Sequence, residues 1–190
     1  GARVLDLCTG TGILAATAAL AGAAEVAAVD VSWRAAFAAR LTMRRAGVGG
    51  TVRRGDLVHA APPGPYDLIV SNPPYVPGAG EGPPAAGATR AWDAGLDGRA
   101  IIDRICTEAP AMLRPGGVLM MIHSEVSGEA RTLEMLAASG LDASVVARHL
   151  LPFGPVMKRR APDLRAAGLI SEDQDVEELV VIRAVAPQVA

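Results

Sequence analysis

Aromatic residues are scarce in this chain, 3% of 190 residues, so the volume of any core must come from aliphatic packing. Lysine is nearly missing, with Lys158 the single example. The two cysteines, Cys8 and Cys106, show no CxxC spacing, which excludes a disulfide scaffold and reads as reduced thiols. His59, His123 and His149 are scattered, and no zinc-ligand spacing joins them, so no metal site is expected. No run of about 18 apolar residues and no signal-peptide pattern occurs, which gives a cytoplasmic reading with no membrane partner. A basic excess is absent as well. The formal net charge of −2 argues against a binder of duplex nucleic acid.

What is present is an apolar content of 51%, mostly Ala, Val and Leu, over a length suited to one domain spanning residues 1–190. The run Arg3-Val4-Leu5-Asp6-Leu7 reads as a strand leading into Cys8-Thr9-Gly10-Thr11-Gly12. An Ala-rich helical pattern follows to about Ala21, with Gly22 as its stop. Gly10 and Gly12 permit a tight turn and a close approach to a ligand, and the helix N-terminus adds its dipole. A second strand from Glu25 ends at Asp30, where a carboxylate can accept both hydroxyl hydrogens of a ribose. Taken alone, this unit serves NAD or S-adenosylmethionine equally, because Gly10 to Ala15 also fits the dinucleotide fingerprint. Three features tilt it to the latter: Asp6 just ahead of the glycines, Asp56-Leu57 after a third strand at Thr51–Arg54, and the turn after the fourth strand. Asp6 is placed for a methionine ammonium and Asp56 for an adenine amine.

That fourth strand, Tyr66–Ser71, closes on Asn72-Pro73-Pro74-Tyr75. Two consecutive prolines lack N–H donors and fix φ, so the strand stops and the chain turns out rigidly at the strand's carboxyl end. Ligands of open α/β sheets sit at that end. An amide or exocyclic amine is a poor nucleophile because its lone pair is delocalised. The Asn72 side-chain oxygen and the Pro73 carbonyl can accept its two N–H bonds, and Tyr75 can stack on its flat face. Orientation and electrostatics of this kind supply up to ~7–11 kcal/mol.

Further along, a helix is expected over Ser32–Ala46, with Trp33 and Phe37 packed against the sheet, and another over Gly98–Leu113. A strand at Val118–His123, a helix at Gly128–Ala138 and strands near Ala143–Leu150 and Glu178–Arg183 complete the alternation. The last strand, with no full helix expected before it, predicts one antiparallel strand in a mostly parallel α/β sheet. Residues 76–97, rich in Gly, Pro and Ala, are expected to form a flexible lid anchored by Trp92, and 152–175 an arm beside the acceptor groove.

Together, Asp6 to Gly12, Asp30, Gly55-Asp56-Leu57 and Asn72 to Tyr75 resemble the HemK/PrmC family of class I S-adenosylmethionine-dependent methyltransferases. Ala94 to Arg99 and Leu113 to Gly117 also resemble that family, and the likeness runs to about Ile182. The resemblance implies a Rossmann-like fold, with a seven-stranded sheet, helices on both faces and methylation of a protein glutamine amide, such as that of a release factor. It implies a cofactor site of Asp6, Cys8, Gly10, Gly12, Asp30, Val31, Asp56, Leu57 and Asn72, with Asn72, Pro73 and Tyr75 catalytic. The bacterial enzymes carry a helical domain ahead of the first strand; this chain looks closer to a short branch that often works with a small activator subunit. An upstream segment is therefore expected to be missing. Two other functions stay open: methylation of an exocyclic amine on DNA or RNA bases, and a non-catalytic nucleoside-binding subunit.

Overall fold

The computed structural model describes residues 1–188. Its strands are β1 (Arg3–Leu7), β2 (Glu25–Asp30), β3 (Thr51–Arg54), β4 (Tyr66–Ser71), β5 (Leu113–Ser124), β6 (Asp142–Pro152) and β7 (Val176–Val185). They form one sheet in the order β3-β2-β1-β4-β5-β7-β6. β7 runs antiparallel to both of its neighbours, and every other pairing is parallel. The strand order reverses between β1 and β4, so a crevice opens beyond their carboxyl ends.

Alternation along β1 and β2 explains the layers. Val4, Val26 and Ala28 face the helices α1 (Ile13–Leu20) and α2 (Trp33–Arg45) on one side. Leu5, Leu7, Ala27 and Val29 join the larger core on the other, beside Ile102 and Ile105 of α3 (Ile102–Glu108) and Leu136 of α4 (Glu129–Ala138). Burial on both faces is what a parallel sheet requires.

Three expectations need correction. Trp33 and Phe37 do not pack on the sheet; they are 61% and 62% exposed. The face that α2 buries is Ala36, Ala39 and Met43, because a small residue lets the glycine loop approach: an added Cβ on Gly12 would lie 2.7 Å from the Ala39 Cα. The helix read as Gly98–Leu113 is shorter, since Gly98 is left-handed (φ +73°) and Pro110 ends regular α-helix ahead of a 3₁₀ turn. Finally, residues 152–175 hold a full helix, α5 (Pro155–Ala166), so the antiparallel β7 does not follow from a missing helix. It follows from insertion of β7 between β5 and β6. α5 carries its own apolar cluster, Phe153, Met157, Ala161, Leu164 and Ile170, against Val76.

Candidate active site

Register puts the two motif-bearing strand ends side by side, with Leu7 opposite Ser71. The Ser71 hydroxyl donates to the Leu7 carbonyl at 2.8 Å. One residue on, the chains diverge: Cys8 enters the glycine loop and Asn72 enters the proline turn.

The loop is braced from beneath by Asp6, which is 0% exposed. Its Oδ2 accepts from the Thr9 hydroxyl at 2.6 Å and from the Ala15 amide at 3.0 Å, while its Oδ1 is buried with no partner among the described residues. Burial pushes the Asp6 carboxyl up to about 6, against the pull of Thr9 and the Ala15 amide, and the negative charge of Asp30 adds to the rise. Asp30 at the end of β2 accepts from the Gly10 amide at 2.9 Å and the Ser32 amide at 2.8 Å, one bond to each carboxylate oxygen. Val31 follows it, and its carbonyl accepts from Arg54 at 3.4 Å. Gly10 is left-handed (φ +54°), and the nearest atom to an added Cβ there is the Cys8 carbonyl oxygen at 4.0 Å, so the space above the loop is open.

Cys8 (φ +57°) and Leu57 (φ +42°) are the non-glycine residues in the left-handed region among the described residues. Cys8 opens the glycine loop and Leu57 directly follows Asp56, and strain of this kind gathers where a site demands an exact backbone path. Burial also pushes the Cys8 thiol up, with Asp30 and Asp6 reinforcing the effect, so it remains a neutral thiol. Asp56 is clamped in place. Arg104 of α3 holds it by two bonds, at 2.8 and 2.9 Å, and that guanidinium keeps the carboxyl below its ordinary value. Arg104 is itself steadied by Glu108 at 2.8 Å.

The proline turn is equally well supported. Tyr75 is half-buried, and its carbonyl accepts from the Ser127 hydroxyl at 2.7 Å. Ser127 is in turn fixed by Arg99, 3% exposed, whose guanidinium donates to the Ser127 carbonyl, to that of Gly128 at 2.8 Å and to the Thr132 hydroxyl at 3.1 Å. Residues 76–97 fold back across the turn: the Val76 amide donates to the Trp92 carbonyl at 2.7 Å and the Ala94 amide to the Val76 carbonyl at 3.1 Å. Between turn, fold-back and α5 lies a cavity of about 240 Å³, walled by Asn72, Pro73, Tyr75, Trp92, Met157 and Glu177. Burial pushes the Tyr75 phenol up to about 12, so it stays protonated. His123 is outside this arrangement. It is fully buried, with Nδ1 2.8 Å from the Ser124 carbonyl and Nε2 3.1 Å from the Thr132 hydroxyl.

Thus Asp6, Cys8, Gly10, Gly12, Asp30 and Val31 gather around one loop, and Asn72, Pro73 and Tyr75 around a cavity at the neighbouring strand end. The motifs did not reveal Ser71, Arg104 or Glu177. Glu177 had a visible signal, an acidic pair just ahead of the apolar run Leu179–Ile182.

The methyltransferase small domain family matches residues 1–87. A protein of Methanocaldococcus jannaschii, named "Putative protein N5-glutamine methyltransferase", is 32% identical over 154 residues, covering 81% of this chain and 78% of that one. The chain belongs to the HemK/PrmC-type protein glutamine methyltransferases, which depend on S-adenosylmethionine. The ribosomal protein uL3 glutamine methyltransferase of Bordetella pertussis is 42% identical over 130 residues, covering 63% of this chain. This HemK/PrmC-type chain spans only 42% of the length of that enzyme. The structure of the E. cuniculi Mtq2–Trm112 complex, described as methylating the eRF1 termination factor, superposes with a TM-score of 0.59 at 22% identity, covering 97% of this chain and 85% of that one. That likeness shows a shared class I Rossmann-like methyltransferase fold. No helix among the described residues is long and apolar enough to cross a membrane.

Proposed function

We propose that this chain methylates the side-chain nitrogen of a glutamine in a protein, a translation release factor being the expected acceptor. The observation that carries the reading is the adjacency of two different sites at neighbouring strand ends: the open loop over Gly10 and the cavity behind Asn72, Pro73 and Tyr75.

The loop residues fit S-adenosylmethionine. The buried, unpartnered Oδ1 of Asp6 suits an ammonium donor, and Asp30 keeps free lone pairs for ribose hydroxyls after its bonds to Gly10 and Ser32. Asp56, aimed by Arg104, is the acceptor for an adenine amine, with Cys8, Gly12, Val31 and Leu57 shaping the walls. When bound, the cofactor supplies an electrophilic methyl group. The protein's contribution is to hold the nucleophile. Asn72 Oδ1 and the Pro73 carbonyl accept the two amide hydrogens, and Tyr75 limits the plane. The lone pair is thereby turned out of conjugation toward the crevice.

A cytoplasmic site of action and a small activator subunit are part of this proposal. The test is a methyl-transfer assay with three acceptors: a Gly-Gly-Gln-bearing release factor, a uL3 fragment containing glutamine, and oligonucleotides, with the product located by mass spectrometry. Methylation of glutamine nitrogen in the release factor supports the reading. Transfer confined to oligonucleotides overturns it.

A further inference from the structure

One carboxyl group in the acceptor cavity has no part in holding the amide. Glu177, near the start of β7, is 8% exposed and walls the cavity with Asn72, Pro73 and Tyr75. Its Oε2 has no hydrogen-bond partner among the described residues, and no ion pair among them includes it. The contrast with its neighbour is sharp. Glu125 takes the Glu178 amide at 2.6 Å, the Ser124 hydroxyl at 3.1 Å and the Gln174 side chain at 3.3 Å. Local donors therefore converge on Glu125 and leave the Oε2 of Glu177 without one. An unpaired buried carboxylate is costly to folding, and such costs gather where a ligand or a proton is handled. Burial pushes the Glu177 carboxyl above its ordinary value, partly offset by the Ser124 hydroxyl, and Glu125 adds to the rise. The result is a stronger base than an exposed glutamate.

The chemistry of the proposed reaction calls for one. An amide nitrogen that has gained a methyl carries positive charge and a surplus proton. Asn72 Oδ1 and the Pro73 carbonyl can orient that proton but are far too weakly basic to keep it. Tyr75, protonated throughout, cannot take it either.

We propose that Glu177 is the proton acceptor of methyl transfer. The nitrogen lone pair forms the N–C bond, the C–S bond breaks with its electron pair left on sulfur, and one N–H proton passes to the Glu177 carboxylate. A neutral N-methyl amide and a neutral carboxylic acid result, and the acid later returns its proton to solvent. This rests on the glutamine reading above.

The experiment compares wild type, Glu177→Gln and Glu177→Asp on a glutamine-bearing release factor across pH, with S-adenosylmethionine affinity measured by calorimetry. General base catalysis contributes about 10²–10⁴-fold. The expected result for Glu177→Gln is a kcat loss in that range, with acceptor KM and cofactor Kd changed less than about threefold. Wild type shows a low-pH limb in kcat, which Glu177→Gln loses and Glu177→Asp keeps. Tyr75 and Glu125 are the other titratable groups facing Glu177, and both are present in every variant. A Glu177→Gln enzyme with near-wild-type kcat, or with the limb intact, overturns the assignment. If that variant melts below assay temperature, Glu177→Asp decides: the role requires lower kcat with the limb retained, and a vanished limb overturns it. Wild type that binds cofactor but methylates no glutamine overturns the substrate reading itself, and this proposal with it.

Discussion

The Ser71 hydroxyl and the Leu7 carbonyl, 2.8 Å apart, join the carboxyl ends of β4 and β1 just before the acceptor turn and the cofactor loop separate. The bond is buried, so it fixes the spacing of the two half-sites from within the sheet. Ser71→Ala leaves the second lone pair of the Leu7 carbonyl unused and is expected to cost about 1 kcal/mol in stability. For a chain of this size that lowers Tm by about 2–4 °C. Turnover should fall by more than cofactor affinity does, because the displaced half is the acceptor turn. Thermal melts, calorimetry and initial rates separate these effects.

Asp6 makes cofactor binding depend on pH. Its carboxyl lies at about 6 in the folded chain, above its ordinary value of 3.8. The sign follows from linkage: its contribution to stability is complete below 3.8 and is lost as pH rises through about 6, because ionisation under the loop is unfavourable. A bound ammonium offsets that cost. S-adenosylmethionine affinity is therefore expected to weaken as pH falls below about 6, by up to about tenfold per pH unit, and binding near pH 6 should release protons. Calorimetry in buffers of different ionisation enthalpy measures the release. Asp6→Asn should abolish it.

Arg104 aims Asp56 rather than contacting the crevice itself. The pair is largely exposed, so Arg104→Ala should cost no more than about 1 kcal/mol in stability. The freed Asp56 carboxylate loses its fixed orientation, and cofactor affinity should drop about three- to tenfold, near the cost of one net hydrogen bond. Equal cofactor affinity in Arg104→Ala and wild type would show that Asp56 is not an adenine acceptor. Urea denaturation and cofactor titration of the same variant give both numbers.

Much of the fold was legible in the sequence because the central strands bury both faces and so write themselves as largely apolar runs. The glycine loop, Asp30 and the proline turn were legible for a different reason: left-handed φ and missing N–H donors restrict which residues can stand there. What the sequence hid depended on distant partners. Trp33 and Phe37 look like core until Gly12 and Ala39 are seen to claim the narrow contact between loop and helix. The α5 helix was obscured by Pro162 in its interior and by the charged Lys158-Arg159-Arg160 run. Asp56 was read by its position after a strand, and nothing local announced that Arg104, 48 residues on, would clamp it. Glu177 acquires meaning only through the cavity it shares with Asn72, which lies in a remote part of the chain.

Asn72→Ala puts the division of labour between the two half-sites to the most direct test. One preparation is measured twice, for S-adenosylmethionine Kd by calorimetry and for methyl transfer to the release-factor glutamine by mass spectrometry. The expected result is turnover reduced by about 10²–10³, the cost of one preorganised contact to the reacting group, with cofactor Kd within about threefold of wild type. Cofactor binding lost in parallel with activity, or turnover retained, would contradict the account.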